Sequence, residues 1–509
     1  MAFCGVIETD NSDFRDLLSR HFELISGEDV KCAFYTKHPL YNEISVIITN
    51  WSIRTVVTSA PSEFSDFVIP LRCIVECKKK GGRRSLGQYG INILLNTSVS
   101  VFFPLDKLST CRKSIFNCLL EQIQNVFELP KSIWASDHSW FDELKRVSNW
   151  EEISNDFCPT YPEKLLKPSE LSLETFKECS RHRSRGRLPF LSYIHQATNT
   201  PLLRSSQPLV GLSNADSEAD SMVIRSCIEH RGLAIYDCRP RINAFMNFFT
   251  GGGWESTDNY YNSSLEFFNI PNIHKVRDES IKMKEAIGVS INPWKNWGNL
   301  IVQILKASIQ TSEIMQSDTA VLVHCTDGWD RTAQVSSLVQ ILLSPEGRTI
   351  NGLRMIIQKE WCDAGHMFGL RCAHHPNFKL DESAPVFIQF LDSVFQIIQV
   401  HPNAFEFNSS FLEFLGYHAY SQLYGDFNGK TQRERENEPR PLSIWNNLSS
   451  PDFVRSITNP DYVRVESDLE IQNFEYVFFE KLLSPPIYGS GSKLPNKTIN
   501  NYWFMLIFI

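Results

Sequence analysis

The 509-residue chain lacks several features that would place it in a familiar class of protein. Its formal net charge is −8, so the excess of basic side chains typical of nucleic-acid-binding proteins is missing. No apolar run reaches the roughly 18 residues that a membrane-spanning helix needs. The first residues carry neither the basic region nor the apolar core of a secretory signal peptide. These absences argue against a nucleic-acid-binding, membrane-spanning or secreted protein.

Short cysteine pairs of the kind that hold zinc are missing as well. The 13 cysteines are scattered, and no two of them show the C-x2-C spacing of structural zinc sites. They do not form the dense pattern of a small disulfide-bonded domain either. We therefore expect free thiols in a reducing, cytoplasmic compartment, and we expect no metal and no other cofactor.

The most informative stretch of the chain is Thr319–Ser344. It opens with an apolar run, Ala320–Val323, that predicts a buried strand, and it closes with apolar residues at helical spacing over Val335–Leu342, which predict an amphipathic helix. A strand that feeds a helix through a tight loop directs backbone N–H groups and the helix dipole at one point, where an anion is favoured. In that loop Arg331 can bind two phosphate oxygens, and the same field favours the thiolate of Cys325, which is the nucleophile. The stretch therefore predicts a loop that binds a phosphate and attacks its phosphorus.

The C-x5-R spacing is weak evidence by itself, because the chain contains it three times: Cys77–Arg83, Cys179–Arg185 and Cys325–Arg331. Strand-like runs flank Cys77 on both sides, so its surroundings predict a hairpin turn. A helix directly after Arg185 is disfavoured, because Pro189 would interrupt it. Only Cys325 has a predicted strand before it and a predicted helix after it.

The loop Cys325-Thr326-Asp327-Gly328-Trp329-Asp330-Arg331 resembles the active-site loop of the myotubularin family of phosphoinositide 3-phosphatases. Other stretches are similar to that family too, including CPTYP at Cys158–Pro162 and the KEW and GH segments that begin at Lys359 and Gly365. The resemblance covers about residues 30–450. It implies an α/β cysteine-phosphatase domain, with a mixed central sheet flanked by helices, preceded by a β-rich PH-GRAM-like domain.

The length and a hydrophobic content of 42% suit two or three globular domains. Strand-like runs followed by one helical stripe predict the PH-GRAM-like domain at residues 1–128. The phosphatase domain is predicted at 129–485, including a connector at 129–170, and a linker with a divergent tail at 486–509. The basic cluster Lys78–Arg84 has two interpretations, a lipid-headgroup contact and a solvated hairpin tip. The arginines between Arg183 and Arg187 are interpreted either as surface charge or as part of a basic rim around the site.

The resemblance implies a role for each residue of the loop. Cys325 would attack phosphorus, Arg331 would bind the equatorial oxygens, and Asp330 would protonate the leaving group, with Asp327 as the alternative acid. The substrate-binding residues that it implies are Asn247, Asn272, Ile273, Thr326, Asp327, Gly328, Trp329 and Arg371. Met367 stands where the family usually has a basic residue, which weakens the expectation of a 3,5-bisphosphate substrate.

The resemblance therefore implies an enzyme that removes the 3-phosphate from phosphatidylinositol 3-phosphate, and activity on the 3,5-bisphosphate stays open. The alternatives are a catalytically silent phosphoinositide-binding adaptor and a protein-tyrosine or dual-specificity phosphatase. The expected partners are phosphoinositide lipids, and the expected location is the cytoplasmic side of endosomal membranes, where the protein would be peripheral. No heptad repeat or zinc module of the family is found, and a homodimer or family heterodimer remains an open alternative.

Overall fold

A computed structural model of the chain describes residues 28–36, 44–56, 67–82, 88–98, 100–107, 111–126, 130–145, 149–211, 217–286, 292–374, 379–472 and 474–483. The predicted tail at 486–509 and the two arginines of the cluster at 78–84 lie outside these ranges. Every cysteine within them is a free thiol.

Within the described ranges, the N-terminal region folds into two antiparallel sheets and one helix. The strands of the first sheet are β1 (Val30–Thr36), β2 (Ile44–Thr49), β3 (Ser52–Val56) and β4 (Phe67–Pro70), and those of the second are β5 (Ile74–Lys80), β6 (Gly90–Leu95) and β7 (Ser100–Pro104). Helix α1 (Arg112–Gln124) follows and buries Ile115 and Leu119 in the same apolar core as the strands. The predicted β-rich region with a closing helix is confirmed. The hairpin-turn prediction for Cys77 is wrong, because Cys77 pairs with Ile93 inside β5 and β6.

The remainder of the chain is built on a five-stranded sheet. Its strands are β10 (Phe190–His195), β11 (Thr200–Ser205), β12 (Leu233–Asp237), β13 (Ser263–Phe267) and β14 (Ala320–His324), in the spatial order β10-β11-β14-β12-β13. Strands β10 and β11 are antiparallel, and the other neighbours are parallel. A separate hairpin contains β8 (Trp150–Ser154) and β9 (Lys164–Pro168). The mixed central sheet is therefore confirmed.

Helices surround this sheet. They are α2 (Ser139–Leu144), α3 (Leu173–Arg181), α4 (Glu218–Ile228), α5 (Arg241–Phe248), α6 (Ile273–Ala286), α7 (Lys295–Gln316), α8 (Arg331–Leu343), α9 (Ile350–Ile357), α10 (Phe368–Arg371), α11 (Val386–Val400), α12 (Ser409–Ser421), α13 (Gln432–Asn437), α14 (Pro451–Ile457) and α15 (Glu480–Leu483). A π-helix, Gln358–Asp363, continues α9. In the part of the chain that the structure describes, we find no helix with the length and apolarity needed to cross a bilayer.

The predicted strand, loop and helix around Cys325 are present. Strand β14 is central and completely buried, and α8 begins at Arg331. The expectation of an amphipathic α8 is wrong, because every residue from Thr332 to Leu343 is buried. Two of its polar side chains find a partner inside the protein: Ser336 donates to Glu360 at 2.8 Å, and Gln340 donates to Glu360 at 3.0 Å. The loop before α8 therefore leads directly into a helix that is packed in the core.

The predicted connector at 129–170 is attached to later parts of the chain through His138. Its Nδ1 lies 2.9 Å from Asp363 and its Nε2 lies 2.8 Å from Glu436. Burial alone would lower the pKa of His138, but the hydrogen bonds to the two carboxylates outweigh burial and raise this pKa to about 10. The imidazolium form therefore joins segments that are more than 200 residues apart in the chain.

This contact predicts pH-dependent stability. Because the pKa of His138 is higher in the folded state than its usual 6.5, its contribution is complete below about pH 6.5 and is lost as pH rises through about 10. We expect His138→Gln to lower the free energy of unfolding by about 2 kcal/mol at pH 6, and by much less at pH 10. Urea denaturation at both pH values measures this difference. The exposed His230→Gln is the control, and an equal loss from His138→Gln at both pH values would contradict the assignment.

Candidate active site

The loop that begins at Cys325 lies at the carboxyl edge of the parallel strands, where α/β proteins bind their ligands. Cys325 is buried at the end of β14. The backbone N–H of Gly328 donates to the Cys325 sulfur over 3.3 Å, so the loop curls around the thiol. Gly328 has a φ of +74°, and a Cβ there would lie 2.4 Å from the carbonyl oxygen of Ser205. The turn therefore requires glycine at this position.

Two buried arginines hold the loop from below. Arg204 donates to the Gly328 carbonyl oxygen over 2.5 Å, and Arg187 donates to the same oxygen over 3.2 Å. Arg204 also forms a fully buried ion pair with Glu360, at 2.6 Å. Arg187 and Arg183 are buried, so both interpretations of them, as surface charge or as a basic rim, are wrong. Arg185 alone among these arginines points outward, with a side chain 68% exposed.

Arg331, the predicted phosphate-binding residue, is partly buried at the start of α8. Its guanidinium donates to the carbonyl oxygen of Ile270 over 3.2 Å. This contact joins the loop to the turn before α6. In this position the side chain lies beside the loop, and a phosphate on the loop offers it charged oxygens in place of a neutral carbonyl.

Asp330 is held by two cationic or polar side chains. Its carboxylate receives both Nε and a terminal nitrogen of Arg371, at 3.0 and 2.9 Å. Nδ1 of His366 lies 3.3 Å from the same carboxylate and 2.8 Å from the carbonyl oxygen of Trp329. Burial alone would raise the pKa of Asp330, but Arg371 and His366 hold this pKa well below its usual range. Without substrate, Asp330 is therefore ionised.

Asp327, the alternative acid, has different surroundings. The hydroxyl of Ser184 donates to its carboxylate over 2.9 Å, and Nε of Arg185 lies 3.9 Å away. Its side chain is partly exposed to solvent. The two loop carboxylates thus point to separate partners, and only Asp330 has a fork-to-fork arginine contact.

The predicted headgroup residues divide into two groups. The Asn247 side-chain amide lies 3.5 Å from the Thr326 hydroxyl, so this asparagine borders the loop. The Asn272 side chain instead accepts from the N–H of Lys275 over 3.1 Å and caps α6. Ile273, the first residue of α6, packs against the main core. Its exposure is partial, as is that of Trp329.

The ring of Trp329 lies 5.5 Å from the Arg187 guanidinium. Its carbonyl is the acceptor for His366, so Trp329 contributes mainly to the shape of the loop. Met367 directly follows His366 and is buried at the start of α10. The thioether at this place offers no positive charge to a second phosphate.

The sequence interpretation missed Arg204, Ser184 and the structural role of His366. Arg204 carried a usable signal, since a charged residue directly after Leu202 and Leu203 in an apolar strand is seldom buried unless it is paired. Ser184 carried none, because its partner Asp327 lies 143 residues away in the chain. Within the described ranges, His, Cys, Asp and Glu side chains form no group of three that could hold a metal ion.

Replacing Gly328 by alanine tests how closely the loop depends on its turn. We expect Gly328→Ala to lower kcat/KM for a phosphomonoester by about 100-fold, because the Cβ displaces the N–H from the sulfur. The control is Gly251→Ala, since Gly251 also has a positive φ, of +93°, but a Cβ there meets nothing within 4 Å. Equal activity of the two variants would show that the contact with Ser205 is unimportant.

Comparison with known proteins places the chain in a family. Residues 101–436 match the family model described as the myotubularin-like phosphatase domain. Myotubularin of Xenopus tropicalis is 34% identical over 87% of this chain and 79% of its own length. The phosphatidylinositol-3,5-bisphosphate 3-phosphatase MTMR2 of Mus musculus is 38% identical over 77% of this chain and 67% of its own length. With a family model over most of the chain and a C-x5-R loop at its centre, this chain belongs to the myotubularin-like phosphatases.

Proposed function

We propose that the chain is a phosphoinositide phosphatase that removes the 3-phosphate from phosphatidylinositol 3-phosphate. The observation that supports this most directly is the position of Cys325, whose sulfur accepts the N–H of Gly328 at 3.3 Å in front of the N-terminus of α8. A phosphate bound at that point meets the loop N–H groups and the positive end of the helix. Its phosphorus then lies next to the nucleophile.

The first chemical step transfers the phosphoryl group to the enzyme. The thiolate of Cys325 donates its electron pair to form the S–P bond, while the bond between phosphorus and the inositol oxygen breaks. The leaving oxygen takes a proton from a carboxylic acid of the loop. Arg331 moves from the carbonyl of Ile270 to the equatorial phosphate oxygens, where negative charge is concentrated in the transition state.

The second step regenerates the thiolate. Water attacks the phosphocysteine, an O–P bond forms, the S–P bond breaks, and inorganic phosphate leaves. The proton of the attacking water returns to the carboxylate that gave one in the first step, so the acid of one step is the base of the next.

We assign the proton transfer to Asp330. The substrate phosphate brings negative charge close to this carboxyl group and competes with it for Arg371. Both effects raise the pKa of Asp330 from its depressed value without substrate. Asp330 therefore becomes protonated when the substrate binds, and it can then donate this proton to the leaving inositol oxygen.

The residues around the loop favour a headgroup that carries a phosphate at position 3 alone over one that carries phosphates at positions 3 and 5. Asn247 and Thr326 offer neutral hydrogen-bonding groups, and the nearby cation Arg371 is already paired with Asp330. Met367 adds no charge. The 3-monophosphate is therefore the preferred substrate that we propose, and the 3,5-bisphosphate is a weaker one.

The setting that we propose is the cytoplasmic face of endosomal membranes, with a PH-GRAM-like domain at residues 1–128 beside the phosphatase domain. Lys78, Lys79 and Lys80 are exposed on β5 rather than on a hairpin tip. Lys79 stacks on Phe116 and Lys80 on Phe102, so part of their surface is already used within the domain. A homodimer or family heterodimer is compatible with this setting.

Phosphate release from soluble, short-chain phosphatidylinositol 3-phosphate tests the proposal. We expect turnover that Cys325→Ser lowers by at least about a thousandfold, because serine is a far weaker nucleophile at neutral pH. The bisphosphate should react more slowly than the monophosphate. Cys227→Ala, a buried thiol on α4, is the matched control and should remain active. Preference for a phosphotyrosine peptide would contradict the substrate, and binding without turnover would favour an adaptor.

Comparison of two leaving groups tests the assignment of the acid. We expect Asp330→Asn to lower turnover of the lipid by about 100-fold or more, since the inositol oxygen needs a proton to leave. Turnover of p-nitrophenyl phosphate should fall much less, because nitrophenolate leaves unprotonated. Asp327→Asn should affect both substrates to a similar extent. If Asp327→Asn instead shows the selective loss, Asp327 is the acid.

A further inference from the structure

Two cysteines stand side by side at the carboxyl edge of the central sheet. Strands β12 and β14 are parallel neighbours, and the last pair in their register is Asp237 with His324. The next pair in that register is Cys238 with Cys325. The N–H of Cys238 donates to the carbonyl oxygen of His324 over 2.8 Å, which keeps the two backbones together at this point. The residue proposed as the nucleophile therefore has a second thiol on the adjoining strand.

The two side chains lie on the same face of the sheet. Side chains alternate between the faces along a strand, so Cys238 shares a face with Tyr236. By the same rule Cys325 shares a face with Val323. All four residues belong to one hydrophobic core, whereas Ile235 of β12 belongs to the core on the opposite face. Residues that are in register and on one face of neighbouring strands are direct neighbours.

This placement suits a disulfide. Neighbouring strands lie about 4.8 Å apart. Disulfides join residues whose Cα atoms are about 4.4–6.8 Å apart. A bond between Cys238 and Cys325 therefore needs rotation of the two side chains and little movement of the backbone.

Burial gives the two thiols different reactivity. Cys238 is fully buried, and burial, followed by the neighbouring Cys325, raises the pKa of its thiol well above the usual range. Cys238 therefore stays protonated at neutral pH and adds no negative charge where a phosphate binds. A protonated thiol also reacts slowly with peroxide, because the thiolate is the reactive form. Oxidation is thus expected to begin at Cys325, which acts as a thiolate in the proposed reaction.

We propose that hydrogen peroxide converts Cys325 and Cys238 into a disulfide, which inactivates the phosphatase until a thiol reductant restores it. This inference rests on the proposed role of Cys325 as the nucleophile. It gives a function to Cys238, a residue that the proposed phosphatase reaction does not use.

The oxidation takes two steps. In the first, the thiolate of Cys325 attacks one oxygen of the peroxide, an S–O bond forms, the O–O bond breaks, and hydroxide leaves, so the sulfur is oxidised to a sulfenic acid. In the second, the sulfur of Cys238 attacks the sulfur of Cys325, an S–S bond forms, and the S–O bond breaks. The departing hydroxide takes the proton of the Cys238 thiol and leaves as water. Exchange with an added dithiol returns both residues to thiols.

The neighbouring thiol protects Cys325 from irreversible damage. Without it, a second molecule of peroxide oxidises the sulfenic acid to a sulfinic acid, which thiol reductants do not reverse. A reaction between two groups held together in one molecule has a large advantage over a reaction with a dilute solute. Disulfide formation with Cys238 therefore precedes the second oxidation.

Peptide mapping tests the bond directly. The full chain is treated with a small excess of hydrogen peroxide, free thiols are blocked with N-ethylmaleimide, and the protein is digested without reductant for mass spectrometry. We expect a linked pair of peptides that contain Cys238 and Cys325, and dithiothreitol should separate them. After the same treatment of Cys325→Ser, Cys238 should remain an unlinked thiol, because no sulfenic acid forms beside it.

Recovery of activity measures the protection. Each protein is inactivated with peroxide and then incubated with dithiothreitol, and its turnover of p-nitrophenyl phosphate is divided by its own turnover before treatment. Cys238→Ala should recover at least about fivefold less than the wild type, because its sulfenic acid is oxidised further. Cys238→Ser, which nearly keeps the size of the side chain, should behave in the same way. The matched control is Cys227→Ala, a buried thiol in the core on the opposite face, and it should recover as the wild type does.

Three results would overturn the proposal. They are the absence of the linked peptides from the oxidised wild type, a link from Cys325 to a different cysteine, and equal recovery of Cys238→Ala and the wild type. Mapping needs no turnover. If the wild-type chain releases phosphate from no substrate, the proposed function fails, whereas mapping still decides whether the two cysteines pair.

Discussion

The carbonyl oxygen of Gly328 is the point on which the site depends. Two guanidinium groups, from Arg187 and Arg204, donate hydrogen bonds to it. The N–H of the same residue donates to the sulfur of Cys325. Charged donors on a buried carbonyl form stronger hydrogen bonds than neutral ones, and they cost no rearrangement when substrate arrives. The loop is thus preorganised by two buried arginines that lie outside the C-x5-R stretch.

The local part of this arrangement could be predicted from the sequence. A β-type apolar run, a loop with Cys and Arg, and a helical pattern lie within about 25 residues, so short-range periodicity suffices to identify them. The supports could not be predicted, because Arg204 and Arg187 reach Gly328 across 124 and 141 residues of chain. Hydrophobic periodicity carries no information on which buried charges will meet. For the same reason, the apolar periodicity of α8 predicts an amphipathic helix, although every residue from Thr332 to Leu343 is buried.

The contact between Asp330 and Arg371 controls the protonation of Asp330, and we propose that it does so both without and with a bound phosphate. Without a phosphate, the ion pair with Arg371 keeps the buried carboxylate of Asp330 ionised. The pairing avoids the free-energy penalty of an unpaired buried charge. In the mechanism that we propose, a phosphate in the loop acts on both partners, since it repels the carboxylate and attracts the arginine. Sequence alone placed both residues at the site through the family resemblance. Their pairing, which decides the protonation of Asp330, became visible only in three dimensions.

Much of the positive charge near the site is buried. The chain has a net charge of −8, so its overall field does not attract an anionic membrane. Arginines near the site do not correct this, because Arg183, Arg187, Arg204 and Arg239 are fully buried and bonded to protein acceptors. Attraction by charge is therefore left to a few exposed groups at short range.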